Sequence, residues 1–212
     1  YLMSSLFTVA EEELADLGLA AVAGDGLSVL VGGLGLGYTA VAVLQDARVT
    51  SLTVIDRLGA VIGWHERKLL PVSAELVDDA RTTLVEDDFF AVMRSAPVEG
   101  RGGYSAILLD VDHSPRHQLD PTHADLYDAA GLRALDRHLA AEGIFALWSD
   151  DPPDDDFMIE LNAVFDDAVA HVVDFENAVT GGMSSNTVYV ARSRGTGSAS
   201  LDSTPAHADE DA

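Results

Sequence analysis

The stretch from Gly26 to Gln45 carries no charged side chain, and four of the six residues from Gly32 to Gly37 are glycine. Its length is that of a membrane-spanning helix, which needs about 20 mostly apolar residues. The glycines oppose that reading, because each costs a helix interior about 1 kcal/mol against alanine. The run therefore divides. Leu27 to Gly32 is a short apolar strand of the kind a parallel sheet buries on both faces. Gly33, Gly35 and Gly37 then turn the chain tightly, and a helix from Thr39 to Gln45 packs back on the sheet.

Along the rest of the chain, short apolar segments alternate with longer amphipathic ones, the pattern of βαβ units. Strands are predicted at Leu27–Gly32, Ser51–Asp56, Thr82–Glu86, Tyr104–Asp110, Gly143–Ser149, His171–Phe175 and Thr187–Ala191. Helices are predicted at Thr39–Gln45, Leu58–Leu69, Phe89–Arg94, Ala124–Ala141 and Asp155–Val164. Ahead of the first strand, TVAEEELADLGLAAVAG reads as another helix, with Thr8 as its N-cap and Glu11 to Glu13 near its positive end. The expected fold is α/β: a doubly wound, mostly parallel seven-stranded sheet with helices on both faces. Residues 1–26 form a helical lead-in, residues 27–192 a Rossmann-like cofactor-binding domain, and residues 193–212 an acidic tail. The tail is expected to be mobile, since its Ser, Gly, Ala and Asp leave little to bury.

At 212 residues the chain makes one domain with a substantial core. It has no cysteine, which excludes disulfides and thiolate metal sites. No secretory signal is read near the start, so a cytoplasmic location is expected. Because the chain opens on Tyr1 rather than methionine, a missing upstream segment is also expected. Twelve basic residues, Lys68 being the single lysine, stand against 36 acidic ones, a net charge of -24. That balance argues against nucleic acid as a partner, because phosphate neutralisation needs a basic face. An acidic, lysine-poor surface suits solubility at high salt, where self-repulsion is screened. Acids gathered around a cleft would instead attract a cationic substrate. Their spread from Glu11 to Asp211 favours the solubility reading, which predicts that stability rises with potassium chloride.

In a doubly wound sheet the ligand binds beyond the carboxyl ends of the strands, at the switch point beside the first strand. The glycine loop there has two parses. Gly33-x-Gly35-x-Gly37 is the spacing used for S-adenosylmethionine, and Gly35-x-Gly37-x-x-Ala40 fits a dinucleotide fingerprint. Both readings require an acid at the end of the second strand to hold a ribose diol, and Asp56, 19 residues past Gly37, supplies it. No G-K-[ST] is present, so a P-loop phosphate site is rejected. Glu86-Asp87-Asp88 closes the third strand, where Asp87 is the candidate to meet an adenine amino group. Asp110 ends the apolar AILL segment, pinned by the sheet and aimed into the crevice as a proton acceptor should be. The following loop holds His113, His117, Asp120 and His123; Pro115 and Pro121 argue against a regular face that would present them to a metal, and no metal is expected. Trp64 and Trp148 read as packing residues.

Taken together, VLVGGLGLG, LTVID, LVEDDFF, YSAILLDVDHSP, ADLYDAAGLRAL and AEGIFALWS, in order from Leu27 to Ser149, resemble the nucleotide-binding domain of the spermidine synthase family, the polyamine aminopropyltransferases. The resemblance implies a class I methyltransferase-like fold and an S-adenosyl cofactor rather than a dinucleotide. Gly33, Gly35 and Gly37 match the family's cofactor loop, Asp56 its ribose acid, Asp87 its adenine-side acid, and Asp110 the first acid of its D-x-x-D-P motif. The implied reaction is displacement by an amine on decarboxylated S-adenosylmethionine, releasing methylthioadenosine. Asp110 would position the amine and take its proton, with Asp112, His113 and Tyr127 as substrate contacts. The chain departs from the family in three places. Leu36 stands where the loop has an acid, the second motif acid falls on His113 with Asp112 one position early, and only 26 residues precede the first strand, too few for the family's upstream β-hairpin domain. A buried ammonium would need other partners.

The expected partner is a small molecule, an amine in the first reading, with no membrane and no nucleic acid; a homodimer is compatible with the fold. A methyltransferase using S-adenosylmethionine and releasing S-adenosylhomocysteine is the alternative enzyme. A non-catalytic nucleoside-binding or oligomer-forming protein is the alternative from another class, and a dehydrogenase comes last.

Overall fold

The computed structural model describes residues 8–98, 103–177 and 181–195. Seven strands, β1 (Leu27–Gly32), β2 (Val49–Asp56), β3 (Thr82–Glu86), β4 (Tyr104–Leu109), β5 (Leu139–Ser149), β6 (Asp166–Asn177) and β7 (Gly182–Arg192), form one sheet in the order β3-β2-β1-β4-β5-β7-β6. The pairs from β3 through β5 are parallel, and β7 enters antiparallel to both β5 and β6. The chain leaves β1 in one direction to β2 and β3, then returns to lay β4 on its other side. The switch point therefore lies between β1 and β4.

Among the described residues seven α-helices cover the sheet: α1 (Val9–Ala20), α2 (Tyr38–Gln45), α3 (Gly59–Glu66), α4 (Ser73–Asp78), α5 (Phe89–Arg94), α6 (Ala129–Asp136) and α7 (Asp155–Val164). Two apolar cores form because successive strand residues point to opposite faces. Val29, Val31, Leu108 and Ala146 pack with α1 to α4, whereas Leu30, Ile107, Leu109 and Phe145 pack with α5 to α7. This two-sided burial is why β1 and β4 are apolar without alternation. Among the described residues no helix is long and apolar enough to cross a membrane.

Helix α1 belongs to the main core: Leu14, Ala15 and Leu19 form one stripe, buried against α2 and the strands β4, β5 and β7. Thr8 occupies the N-cap position, but its hydroxyl donates to Glu12 Oε1 at 2.8 Å instead of capping.

Several boundaries differ from the sequence expectation, each for a local reason. The helix expected over Leu58–Leu69 stops at Glu66, because Lys68 turns left-handed at φ 56° and Pro71 follows; α4 is then a separate helix. The long helix expected over Ala124–Ala141 is three elements. A 3-10 helix spans Pro121–Tyr127, α6 begins where Asp128 accepts from the amides of Ala130 and Gly131, both at 2.8 Å, and β5 starts at Leu139. Strand β4 ends at Leu109, leaving Asp110 just beyond it. Strands β6 and β7 run well past the expected apolar centres, because their polar outer halves pair with each other as a hairpin. The first three residues of the expected mobile tail are tied down: Ser193 N donates to Gly143 O at 2.7 Å, and Arg194 to Phe165 O at 3.0 Å. Residues 196–212 lie outside the described residues.

Candidate active site

A cavity of about 340 Å³ opens over the carboxyl ends of β1, β2 and β4, at the switch point. That volume falls in the range of small-molecule sites, roughly 300–1,000 Å³. Gly33 to Gly37 form one wall, and Asp56, Asp88, Asp110, His113 and His123 present polar groups along it.

The loop is built so that its backbone can approach a ligand. Gly33, Gly35 and Gly37 have φ of 93°, 45° and 92°. Gly33 admits no other residue, since a Cβ there would lie 2.0 Å from the Asp110 carbonyl oxygen. Its N–H donates to Ile55 O at 2.9 Å, and Gly37 N–H donates to Leu34 O at 2.8 Å. Beneath the loop, fully buried His65 bridges Gly35 O at 3.1 Å and the Ser73 hydroxyl at 3.1 Å. Helix α3 and the separate helix α4 therefore brace the glycine turn from below.

Asp56 ties the loop to β2. Its Oδ2 accepts from Leu34 N at 2.8 Å and its Oδ1 from Leu58 N at 2.7 Å. Each carboxylate oxygen has a second lone pair, so capacity for a diol remains. Asp110 receives the Thr39 hydroxyl on Oδ2 at 2.8 Å. Burial pushes its carboxyl above the usual range, and the Thr39 hydrogen bond partly offsets this. Glu11, from the first turn of α1, lines the same cavity, and its carboxyl is pushed up to about 7, first by burial and second by the nearby Asp110 charge. Two carboxylates lining one cavity also form a site that favours a cation.

Of the residues singled out in the sequence, the cavity gathers Gly33, Gly35, Gly37, Asp56, Asp110 and His113. Asp87 is not on its wall. Its carboxylate folds back onto Asp88 N at 2.8 Å and is exposed, while Asp88 lines the cavity and caps α5 through Phe90 N at 2.9 Å. Asp112 and Tyr127 are also off the wall. The chain turns sharply after Asp110, sending Asp112 into the α5–α6 core, where it accepts from Tyr127 Oη at 2.7 Å and Leu119 N at 2.7 Å. The histidines of the following loop disperse: His117 pairs with Asp151 at 2.7 Å and His123 with Asp112 at 2.8 Å. Among the described residues no group of three or more His, Asp or Glu is placed to hold a metal. Trp148 packs against the core and also touches the cavity, whereas Trp64 is partly exposed on α3.

Sequence reasoning missed Glu11 and Thr39, chose Asp87 over Asp88 within the acidic run, and read His123 only as one of the loop histidines. Thr39 carried a local signal in its position in the first turn of the helix that follows the loop. Glu11 reaches the cavity because α1 crosses the sheet above β4, which no local pattern reveals.

No protein-family model matches the chain, and no curated protein does. Solved structures do. The chain is similar to spermidine synthase from Thermotoga maritima at 20% identity and TM-score 0.65, over 88% of this chain and 59% of that one. A spermidine synthase in complex with the transition state analogue AdoDATO gives 21% identity and TM-score 0.68, over 88% and 61%. Human methyltransferase-like protein 13, in complex with SAH, gives 20% and 0.55, over 86% and 77%. The chain spans about three fifths of those two spermidine synthases. Likeness at this identity is a likeness of fold, and with the observed strand order it makes the chain a class I methyltransferase-like Rossmann fold.

Proposed function

We propose that the protein is a spermidine synthase-like transferase that moves an aminopropyl group to an amine, using decarboxylated S-adenosylmethionine. The observation that carries this reading is the convergence of Asp110 and Glu11 on the cavity beside the glycine loop. When bound, the decarboxylated cofactor supplies an alkyl carbon activated by its sulfonium, which departs as the thioether of methylthioadenosine. The glycine loop, by close backbone approach, and Asp56 hold the nucleoside. Asp110, desolvated and held by Thr39, positions the attacking amine and accepts its proton. Glu11 takes the place of acids the family carries elsewhere and faces a second, cationic amine.

Methyl transfer from S-adenosylmethionine is the second reading. The withdrawal of Asp112 from the cavity favours it, since one acid fewer remains for a polyamine while methyl transfer can proceed by positioning alone.

The test is isothermal titration with S-adenosylmethionine, decarboxylated S-adenosylmethionine and methylthioadenosine, followed by chromatography of methylthioadenosine released in the presence of diamines. Amine-dependent release supports the proposal. Tighter binding of S-adenosylmethionine redirects it to methyl acceptors, binding without turnover supports a non-catalytic nucleoside-binding protein, and no binding at low or molar salt defeats the cofactor assignment.

A further inference from the structure

Glycine populates positive φ about as readily as negative φ, so Gly35, at φ 45°, does not select its own conformation. The turn around it, closed by Gly37 N–H to Leu34 O at 2.8 Å, accepts either sign at its second residue. The choice falls to a contact from outside the loop. Among the described residues no backbone N–H donates to the Gly35 carbonyl; its partner is His65 Nε2, on α3, at 3.1 Å. A carbonyl oxygen only accepts, so Nε2 carries a proton whatever the charge of the ring.

The imidazole is held in place from behind. It is 0% exposed, and its Nδ1 lies 3.1 Å from Ser73 Oγ, which also accepts from Leu70 N at 3.2 Å. Gly37 rests on its edge, where a Cβ would lie 2.8 Å from His65 Cε1. The ring thus draws the Gly35 carbonyl down, away from the cavity. A trans peptide points its C=O and N–H to opposite sides, and no cis bond occurs among the described residues. The same peptide that lowers Gly35 O therefore raises Leu36 N–H toward the cavity that both residues line. Gly33, Leu34 and Gly37 spend their N–H groups inside the protein, whereas among the described residues Leu36 N–H has no hydrogen-bond partner.

We propose that His65 is a positioning residue for the nucleoside cofactor: by holding the Gly35 carbonyl down, it selects the turn that leaves Leu36 N–H as a donor on the cavity wall. The inference rests on the nucleoside reading above and adds to it a residue that never touches the ligand. Released from His65, Gly35 is free to take the opposite sign of φ, which turns an acceptor toward the ligand in place of a donor. The loop then divides between two turns, and apparent affinity falls by the fraction that keeps the observed one.

Isothermal titration of the full chain with methylthioadenosine, alongside thermal melts, tests this. Two variants separate the ring nitrogens: the amide of His65→Gln reaches the place of Nε2, and that of His65→Asn the place of Nδ1. Both bury one neutral amide, so a merely structural role lowers affinity in both, in step with the melting temperature. Positioning predicts His65→Gln within about threefold of wild type and His65→Asn weaker by about tenfold or more, whatever their melting temperatures. If either His65 variant does not fold, Ser73→Ala decides: it keeps the imidazole, removes its brace and leaves the cavity wall untouched, and affinity should fall by about threefold or more. Wild-type affinity in His65→Asn, equal losses in the two His65 variants, or unchanged affinity in a deciding Ser73→Ala overturns the inference, while binding by wild type preserves the nucleoside reading. No binding by wild type overturns both.

Discussion

Glu11→Gln should make the protein more stable, and increasingly so as pH rises. Glu11 is pushed from 4.5 to about 7 in the folded protein, so the native state holds a proton that the unfolded chain releases earlier. Stability is therefore present below the unfolded value and is lost as pH climbs through the window from about 4.5 to about 7. Taken at face value, the linkage costs wild type about 2.5 kcal/mol more at pH 8 than at pH 5. Glu11 is only partly buried and its carboxylate is partly screened, which reduces the expected difference to about 1 kcal/mol. Glutamine keeps the shape and does not titrate, so the gap between variant and wild type isolates this group from the other acids. The assay is urea unfolding of both proteins at pH 5, 6, 7 and 8 in molar potassium chloride. A gap that stays constant across that range would refute the argument that Glu11 is desolvated beside Asp110.

Asp110→Asn should lower turnover by about 10²–10⁴-fold, the usual contribution of a positioned proton acceptor, while calorimetry shows methylthioadenosine affinity within a few fold. Asp56→Ala removes the acceptor for Leu34 N and Leu58 N, and is expected to cost about 1–3 kcal/mol in thermal unfolding and to weaken nucleoside binding. Raising potassium chloride from low to molar concentration should raise the melting temperature, given a net charge of -24; a flat response would count against the high-salt reading of the acids.

Much of the central sheet was legible because β1 and β4 bury most of their residues, while β3, an edge strand with none buried, was read from its β-branched residues. Leu27–Gly32 and Thr82–Glu86 match the observed strands in full, and Phe89–Arg94 and Asp155–Val164 match the observed helices. Apolar runs with no alternation leave little freedom once glycines bound them. The errors fall where polar sequence pairs or turns. The outer halves of β6 and β7 carry no apolar signal, since their partner is another strand rather than a helical layer. The helix expected across Asp128 failed because an aspartate's preference for capping outweighed the apolar spacing around it.

The same division runs through the site. Gly33 and Asp56 were visible in the sequence because their roles are local to a strand end, where a turn needs positive φ and an acid meets the loop amides. The fates of Asp87, Asp112 and His123 were not local. One residue of phase decides which of two adjacent acids turns inward, so Asp88 and not Asp87 lines the cavity. Asp112 and His123 lie 11 positions apart across a mostly irregular segment, and only the packing of the 3-10 helix on Phe90 brings them together. Sequence alone determined the strand-loop-helix unit and the acids at its strand ends, through backbone sterics and short-range hydrogen bonding. Tertiary structure decided which side chains share the cavity, because α1 over β4 and His123 over Phe90 are placed by burial of distant apolar surfaces, which has no signature at the residues it positions.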